Sequence, residues 1–268
     1  MRRGLFVTGI CCGLACMLCI SAAVLGLPSS GRSVVEAQEA EAAQNASAPK
    51  ASSQEDAAPP YESPVDFTAL QAENPDIYAW LDIPGTDISY PVVQNRRDDT
   101  LYLDHDSSGE VSSQGALFTE HVYNALDFSD PATVIYGHRM RNGAMFGQLQ
   151  QIYSDPDGFT EHSAIVVYLP DRELRYQVFA AIPFPGYHIL YHYNFEHRRM
   201  YRAFLETVLS TRAIGANFQE DGAPSGEDPL LILSTCLMGN RSNRYLVIAK
   251  LSQQAEDTEL SDISTMKG

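Results

Sequence analysis

One cysteine lies outside the apolar N-terminal run, and its setting suits nucleophilic chemistry. Cys236 ends the apolar stretch 230–236. The other four cysteines are Cys11, Cys12, Cys16 and Cys19. A lone thiol that has no cysteine partner in its domain is either buried and inert or retained for its reactivity, and composition leaves both open. A thiolate is a strong nucleophile, but an ordinary cysteine has a pKa of about 8.5, so a neighbour must favour the charged form.

A histidine takes an equivalent place on another predicted strand. His138 ends the stretch "TVIYGH", as Cys236 ends "LILSTC". Two strand ends of a barrel meet at one rim when the strands are neighbours, so the two side chains are expected to lie close together. A turn histidine that is satisfied by backbone groups is the simpler alternative. Most of the remaining histidines are expected in solvated loops; they are His105, His121, His162, His188, His192 and His197.

An arginine completes a constellation for acyl transfer. That chemistry needs donors for the negative charge that develops on the attacked carbonyl oxygen. Arg244 begins the apolar stretch that follows Cys236, and a short loop would return its guanidinium to the thiol. Arg241 and Arg139 compete for the role. A strand-end arginine that reaches solvent is the alternative interpretation.

The elements that must position these residues are mostly strands. The pattern predicts a helix near 66–73 and one long helix with an apolar stripe formed by Met200, Phe204, Leu205, Val208 and Leu209. A shorter helix face spans 145–153. Seven to eight short strands with few helices predict a mainly β protein, a closed barrel or a sandwich. The strand-like stretches are 77–83, 88–93, 115–121, 132–140, 163–169, 174–184, 230–236 and 244–251.

The first residues predict a membrane anchor. Residues 5–27 carry no charge and follow Arg2 and Arg3. An α-helix crosses a bilayer with roughly 20 residues, whereas the apolar part of a signal peptide has about 7–15. A retained single-pass anchor is therefore favoured, with residues 1–4 cytoplasmic and the rest outside. A possible cleavage site at 35–37 keeps the signal-peptide alternative open.

The rest of the chain divides by composition. Residues 28–64 are rich in Ala, Ser, Glu, Gln and Pro and predict a disordered extracytoplasmic spacer. Residues 65–253 are long enough for one domain with a core, and 254–268 form a polar C-terminal tail. The net charge of −16 argues against nucleic acid or anionic lipid as a partner. GxGxxG, P-loop, CxxC and HExxH motifs are absent from residues 65–253, so we predict no cofactor.

From about residue 70 to 251 the sequence resembles the sortases, cysteine transpeptidases of Gram-positive bacterial surfaces. "VIYGHRM", "LSTC" and "RYLVIAKL" resemble the family's histidine, cysteine and arginine segments. The N-terminal helix and the long helix before the cysteine strand resemble class B. Leu237 departs from that class, whose members often carry an acidic residue there. Three further segments match in order: "YPVVQ", "YLDHD" and "GALFTEH".

The resemblance implies a sortase-like closed β-barrel and an enzyme that cleaves the C-terminal sorting signals of surface proteins. Cys236 would form a thioester with a Thr carbonyl, His138 would protonate the leaving amine, and Arg244 would bind the oxyanion. An amine of a peptidoglycan precursor or of a pilin would then resolve the thioester. Carried over by position, the residues that line the signal-binding groove are Leu103, Tyr136 and Ser234.

Two other functions remain open at this point. A secreted cysteine protease would only hydrolyse; papain-like enzymes carry Cys before His, and here His comes first. A non-catalytic surface-binding β-domain would need no thiol at a strand end with His and Arg nearby. The sortase interpretation places the protein in the cell membrane with its catalytic domain outside.

Overall fold

The structure is a computed structural model that describes residues 61–219 and 222–254. The predicted anchor at 5–27, all but the end of the predicted spacer, and the tail beyond residue 254 lie outside the described residues. Within the described part, no helix has both the length and the apolar character that a bilayer crossing requires.

Short strands dominate the described chain, as the sequence predicts. The helices are α1 (Phe67–Glu73), α2 (Leu149–Ser154), α3 (Pro156–Glu161), α4 (Ile189–His192) and α5 (Arg198–Leu209), and a 3-10 turn spans Leu101–Leu103. The strands are β1 (Ile77–Asp82), β2 (Ser89–Val93), β3 (Leu117–Phe118), β4 (Ala132–Tyr136), β5 (Ala164–Tyr168), β6 (Glu173–Phe184), β7 (Asn217–Phe218), β8 (Leu230–Leu237) and β9 (Asn240–Gln254).

The strands form one sheet that closes on itself. Their order is β5-β1-β2-β3-β4-β8-β9-β6-β7, and β5 also pairs with β6. That pairing closes eight strands into a barrel, and β7 remains as an extra strand beside β6. The predicted mainly β fold, a closed barrel of seven to eight strands, is therefore confirmed. Closure protects the backbone groups that an open sheet would expose at its two edges.

β4, β8 and β9 separate two apolar layers, because successive side chains of a strand point to opposite faces. The inner layer fills the barrel and includes Ile135 of β4, Leu233 of β8 and Val247 of β9. The outer layer lies under α5 and includes Val134 and Ile232. These five side chains are fully buried. Full burial of such a side chain contributes about 1.5–3 kcal/mol.

The two predicted principal helices are present. Asp66 caps α1 by accepting a hydrogen bond from the Ala69 backbone N–H at 2.9 Å. The stripe of α5 is correct except at its end: Leu209 is 39% exposed because the helix terminates there, and Tyr201 is buried in its place. The Tyr201 hydroxyl donates to the Asp228 carbonyl oxygen at 2.6 Å, which lets a polar aromatic ring face the core.

Other predictions of local structure were wrong in their bounds. The helix predicted from residue 145 begins only at Leu149, because Met145 has a positive φ of 54° that a right-handed helix excludes. β3 retains two residues of the predicted 115–121. The sequence pattern did not predict α3, α4 or β7, which are all short.

Candidate active site

The outer face of three neighbouring strands carries the candidate residues. β4 and β8 pair in parallel with Tyr136 opposite Ser234, and β8 and β9 pair antiparallel with Cys236 opposite Arg244. Even-numbered positions of β4 and β8 face outward under α5, and the same alternation continues past the helix. The ends of β4 and β8 are therefore neighbours, as the sequence predicts, and His138 follows β4 at this same rim.

The thiol and the guanidinium of the pair are in contact. Arg244 Nη1 lies 3.9 Å from Cys236 Sγ. The same nitrogen donates to the backbone carbonyl oxygens of Arg241 at 3.2 Å and Asn243 at 3.4 Å. Backbone acceptors thus hold the guanidinium beside the thiol, so the donor is already in place before charge develops on a substrate. Cys236 is half-buried.

His138 is held at the end of β4 by its neighbours. Gly137 donates its N–H to the Ser234 carbonyl oxygen at 3.1 Å, which continues the β4–β8 pairing by one residue. A side chain at position 137 would overlap Leu117 and Phe146, so the close approach requires glycine. The His138 Nε2 lies 2.7 Å from the Leu103 carbonyl oxygen and donates to it, which orients the ring.

The two competing arginines occupy different environments. Arg241 is exposed in the β8–β9 hairpin, and its carbonyl, rather than its side chain, contacts Arg244. Arg139 forms an isolated bridge with Met145, and its Nε is buried with no hydrogen-bond partner among the described residues. Its side chain follows His138 directly, so strand alternation directs it away from the outer face.

The three residues predicted to bind the signal differ in exposure. Leu103 is 44% exposed and presents its carbonyl to His138, whereas Ser234 is buried. The Tyr136 hydroxyl is buried and has no hydrogen-bond partner within 61–219 and 222–254. Burial, followed by the charge of Glu120 and the closeness of its carboxylate to the hydroxyl, raises the pKa of Tyr136 far above its usual value, and the Arg244 charge opposes the rise. The hydroxyl is therefore neutral at physiological pH. The carboxylate lies close to the hydroxyl, but the two do not have the geometry of a hydrogen bond.

Leu237 lies on the other face from Cys236. A register irregularity separates the two residues, and Leu237 packs against the inner core. An apolar residue suits this position, which accounts for the departure noted in the sequence.

The sequence pattern did not predict a polar pair at the border of the site, formed by Glu120 and His188. His188 Nε2 lies 2.9 Å from Oε1 of Glu120, and the centroid of its ring lies 6.2 Å from that of Tyr136. These residues are far apart in the sequence, and no motif joins them. Only the register of the folded barrel reveals the pair. His121 binds the Asp99 carboxylate, and His162 binds the Pro84 carbonyl oxygen.

The sortase domain model matches residues 81–252. The chain belongs to the sortase family. Sortase B of Listeria monocytogenes is 29% identical over 167 residues, which are 62% of this chain and 65% of that protein. The matched part of this sortase therefore spans less than two thirds of that relative's length.

Solved structures give the same relationship. Clostridium perfringens sortase B superposes with a TM-score of 0.61 at 28% identity, covering 69% of this chain and 99% of that one. A Staphylococcus aureus sortase B–substrate complex superposes with a TM-score of 0.60 at 25% identity, covering 72% and 87%. This sortase is thus similar to class B members in both sequence and fold.

Proposed function

We propose that this chain is a class B-like sortase transpeptidase that cleaves a C-terminal sorting signal and joins its Thr carbonyl to an amine. The observation that carries the proposal is the contact of Cys236 Sγ with Arg244 Nη1 on the face that also receives His138. A buried, inert thiol would need neither a guanidinium held in contact nor a histidine at the adjacent strand end.

In the first half-reaction, the Cys236 thiolate attacks the Thr carbonyl carbon of the signal. The carbonyl oxygen takes up the electron pair and is stabilised by Arg244, a donor that backbone carbonyls already orient. His138, as imidazolium, gives its proton to the leaving amine as the C–N bond breaks. The products are a thioester on Cys236 and the released C-terminal peptide.

In the second half-reaction, an acceptor amine attacks the thioester. Neutral His138 accepts the proton of the amine, the C–S bond breaks, and Cys236 leaves as the thiolate that starts the next cycle. Water in place of the amine would give hydrolysis. The acceptor class that we propose is an amine of a peptidoglycan precursor or of a pilin.

We assign the signal-binding groove to the surface around Leu103, Tyr136 and Ser234. Two of them suit apolar parts of a peptide: Leu103 offers exposed apolar surface, and Tyr136 offers a partly exposed aromatic ring. Ser234 lies opposite Tyr136 and two residues before Cys236, so it lines the floor between groove and nucleophile.

The segments outside the barrel complete the proposal. Residues 5–27 would anchor the protein in the cell membrane with residues 1–4 cytoplasmic, and 28–64 would be a spacer that carries the catalytic domain, 65–253, outside, followed by the tail 254–268. The support is the uncharged run behind two arginines. Protease added to intact protoplasts should remove the catalytic domain; a protected domain, or a soluble form lacking residues 1–37, would contradict the retained anchor.

The decisive experiment traps the intermediate. The full chain is incubated with a library of five-residue signals that contain Thr, and hydroxylamine is added to convert the thioester to a hydroxamate that mass spectrometry identifies. A hydroxamate at Thr supports the proposal. Adding an amine acceptor should replace the hydrolysis product with a ligated one. Hydrolysis alone, with every acceptor tried, would favour the cysteine-protease alternative, and no reaction would favour a binding domain.

A further inference from the structure

The connection between β6 and α5 packs against one side of the site at two points. Immediately after β6, Gly186 lies so close to the β8–β9 hairpin that an added Cβ would overlap the Ser242 carbonyl oxygen. The chain then enters α4, where Ile189 belongs to the same apolar cluster as Tyr136. The hairpin that carries Cys236 and the strand that leads to His138 are thus both in contact with this connection.

His188 joins this connection to the barrel through both ring nitrogens. Its Nε2 donates to Glu120 Oε1 at 2.9 Å, and its Nδ1 accepts the Tyr191 backbone N–H at 3.1 Å, which caps α4. Only the neutral imidazole with its hydrogen on Nε2 makes both bonds. Glu120 is fixed in the segment that follows β3, so the two bonds tie α4 to the barrel wall.

The tie lies against the groove that we assign to the signal. The His188 ring centroid is 5.1 Å from that of Tyr123 and 6.2 Å from that of Tyr136. Tyr136 in turn lies opposite Ser234 in the β4–β8 register. The Tyr136 ring also stacks on Phe118, with their centroids 5.5 Å apart, so a displacement of α4 would remove the packing on the His188 side of the ring.

We propose that His188 is a positioning residue, whose imidazole ties α4 to Glu120 and thereby fixes the wall of the signal-binding groove beside Tyr136. The inference rests on the proposed function, because it assigns this wall to signal binding. It predicts that loss of the tie weakens binding of the signal and leaves the reaction of bound signal nearly unchanged, since His188 contacts neither Cys236 nor Arg244.

The tie should respond to acid. Glu120 raises the pKa of His188 through their hydrogen bond and its charge, and partial burial opposes the rise. Protonation places a hydrogen on Nδ1, which then faces the Tyr191 N–H, so the cap is lost while the Glu120 contact becomes an ion pair. The titratable side chains facing the ring from other elements are Glu120, Asp99, Tyr123 and Tyr136.

Global stability should follow pH in the opposite direction. Because the folded-state pKa of His188 is raised, the Glu120–His188 attraction stabilises the fold fully below the unfolded-state pKa, and this contribution is lost as the pH rises through the folded-state pKa. Acid therefore strengthens the ion pair but opens the cap. A histidine that only formed the ion pair would show the stabilisation at low pH without the loss of the α4 cap.

The test uses the full chain and the signal peptide selected from the five-residue library. His188→Asn keeps an acceptor for the Tyr191 N–H but does not reach Glu120, whereas His188→Gln keeps a donor toward Glu120 and loses the cap. We expect His188→Asn to raise KM about tenfold, with kcat within about threefold of wild type. His188→Gln should recover part of the loss. His197→Gln is the matched control, because His197 is exposed and makes no capping bond.

The pH profile separates positioning from general damage. For the wild-type chain, KM should rise as the pH falls through the His188 pKa, and Glu120→Gln should move this rise to lower pH because it removes the negative charge. His188→Asn should abolish the rise. Should His188→Asn retain both the wild-type KM and the wild-type pH profile, the inference is overturned. If that variant does not fold, the Glu120→Gln profile decides.

Hydrogen exchange keeps this inference distinct from the proposed function. The protection factors of the amides of residues 186–192, which correct the exchange rate for the pH dependence of intrinsic exchange, should fall in His188→Asn and, in the wild-type chain, on acidification. If the wild-type chain forms no hydroxamate, the proposed function fails, but the exchange data still report whether His188 ties α4. Unchanged exchange in an active His188→Asn chain would overturn the tie alone.

Discussion

The outer face of β4, β8 and β9 has two halves that share strands but differ in character. Under α5 the outward positions are apolar and fully buried, as with Val134 and Ile232. Toward the end of that cover, the outward positions hold Tyr136 and Ser234, and beyond it they hold Cys236 and Arg244. The backbone alternation is unchanged between the halves, and only the cover differs.

In both halves the barrel fixes the positions of the outward side chains. The cover by α5 determines whether those side chains are buried and stabilise the fold or stay accessible. Where α5 covers the face, burial stabilises the fold, and a polar side chain would be costly. Where the cover ends, the same register presents side chains whose positions are fixed by strand pairing rather than by their own packing. A substitution in the open half should therefore change activity and spare stability, and a substitution in the covered half should do the reverse.

Removing the nucleophile should abolish the function of the open half and spare the covered half. Cys236→Ala should eliminate both cleavage and ligation, because no thioester can form. The free energy of unfolding should fall only modestly, since the substitution removes one half-exposed sulfur. Peptide cleavage and chemical denaturation measure the two effects. Residual cleavage by the alanine variant would remove Cys236 from its assigned role.

Removing the held donor should reduce the rate strongly without stopping the reaction. Arg244→Ala should lower kcat by about 10²–10³-fold, roughly 3–4 kcal/mol, the usual loss for one oxyanion donor. Arg244→Lys should recover little, because an ammonium lacks the planar fork of a guanidinium. Steady-state cleavage of a fluorogenic signal peptide measures all variants.

Two matched controls accompany that series. Arg241→Ala and Arg139→Ala should stay within about tenfold of wild type, since neither side chain contacts Cys236 and the Arg241 carbonyl survives the substitution. A severe defect in Arg241→Ala together with a normal Arg244→Ala would mean that the assignment of the donor is wrong.

A change under the helix should affect stability alone. Ile232→Val should lower the free energy of unfolding by about 0.5–1.5 kcal/mol, because it removes one methylene from a filled position. The kcat of the folded protein should stay within about twofold, since β8 keeps its backbone register. Denaturation and cleavage assays on one preparation provide the comparison. A loss of kcat comparable to that of Arg244→Ala would show that the halves are not independent.

The smallest expected effect concerns the border between the halves. Tyr136→Phe should leave the free energy of unfolding unchanged or raise it by up to about 1 kcal/mol, because the lost hydroxyl is buried without a partner. KM for the signal peptide should stay within about twofold of wild type, because the hydroxyl is buried and the substitution keeps the ring. Tyr153→Phe is the control for stability: its hydroxyl donates to the His162 carbonyl at 2.7 Å, so its loss should cost about 0.5–1.5 kcal/mol. Equal stability losses in both variants would contradict the unpaired state of Tyr136.

The sequence was informative where a pattern is local. Apolar alternation located most strands, and the stripe of α5 followed from helical periodicity. The strand-end positions of Cys236 and Arg244 predicted their contact, which the structure shows, and the strand end before His138 lies beside that of Cys236 because β4 pairs with β8. These inferences needed only the period of each segment and the direction of the chain.

The sequence could not reveal what depends on contacts between distant segments. Glu120 and His188 lie on connections without periodicity, and neither belongs to a motif, so their bond followed only from the folded register. The short helix α4 is likewise stabilised by the cap from His188 and by packing rather than by its own propensity.

The strand order has a consequence for folding kinetics. β8 and β9 follow every other strand of the described chain, yet they lie between β4 and β6 in the barrel. The β8–β9 hairpin can form through local contacts, whereas its parallel pairing with β4 closes a long loop and contributes to a high contact order, which slows folding. Cys236 and Arg244 should therefore meet early and His138 late. The barrel cannot close before β8 and β9 have taken their places in the sheet. The end of β4, which leads to His138, therefore comes to lie beside Cys236 only when folding of the domain is nearly complete.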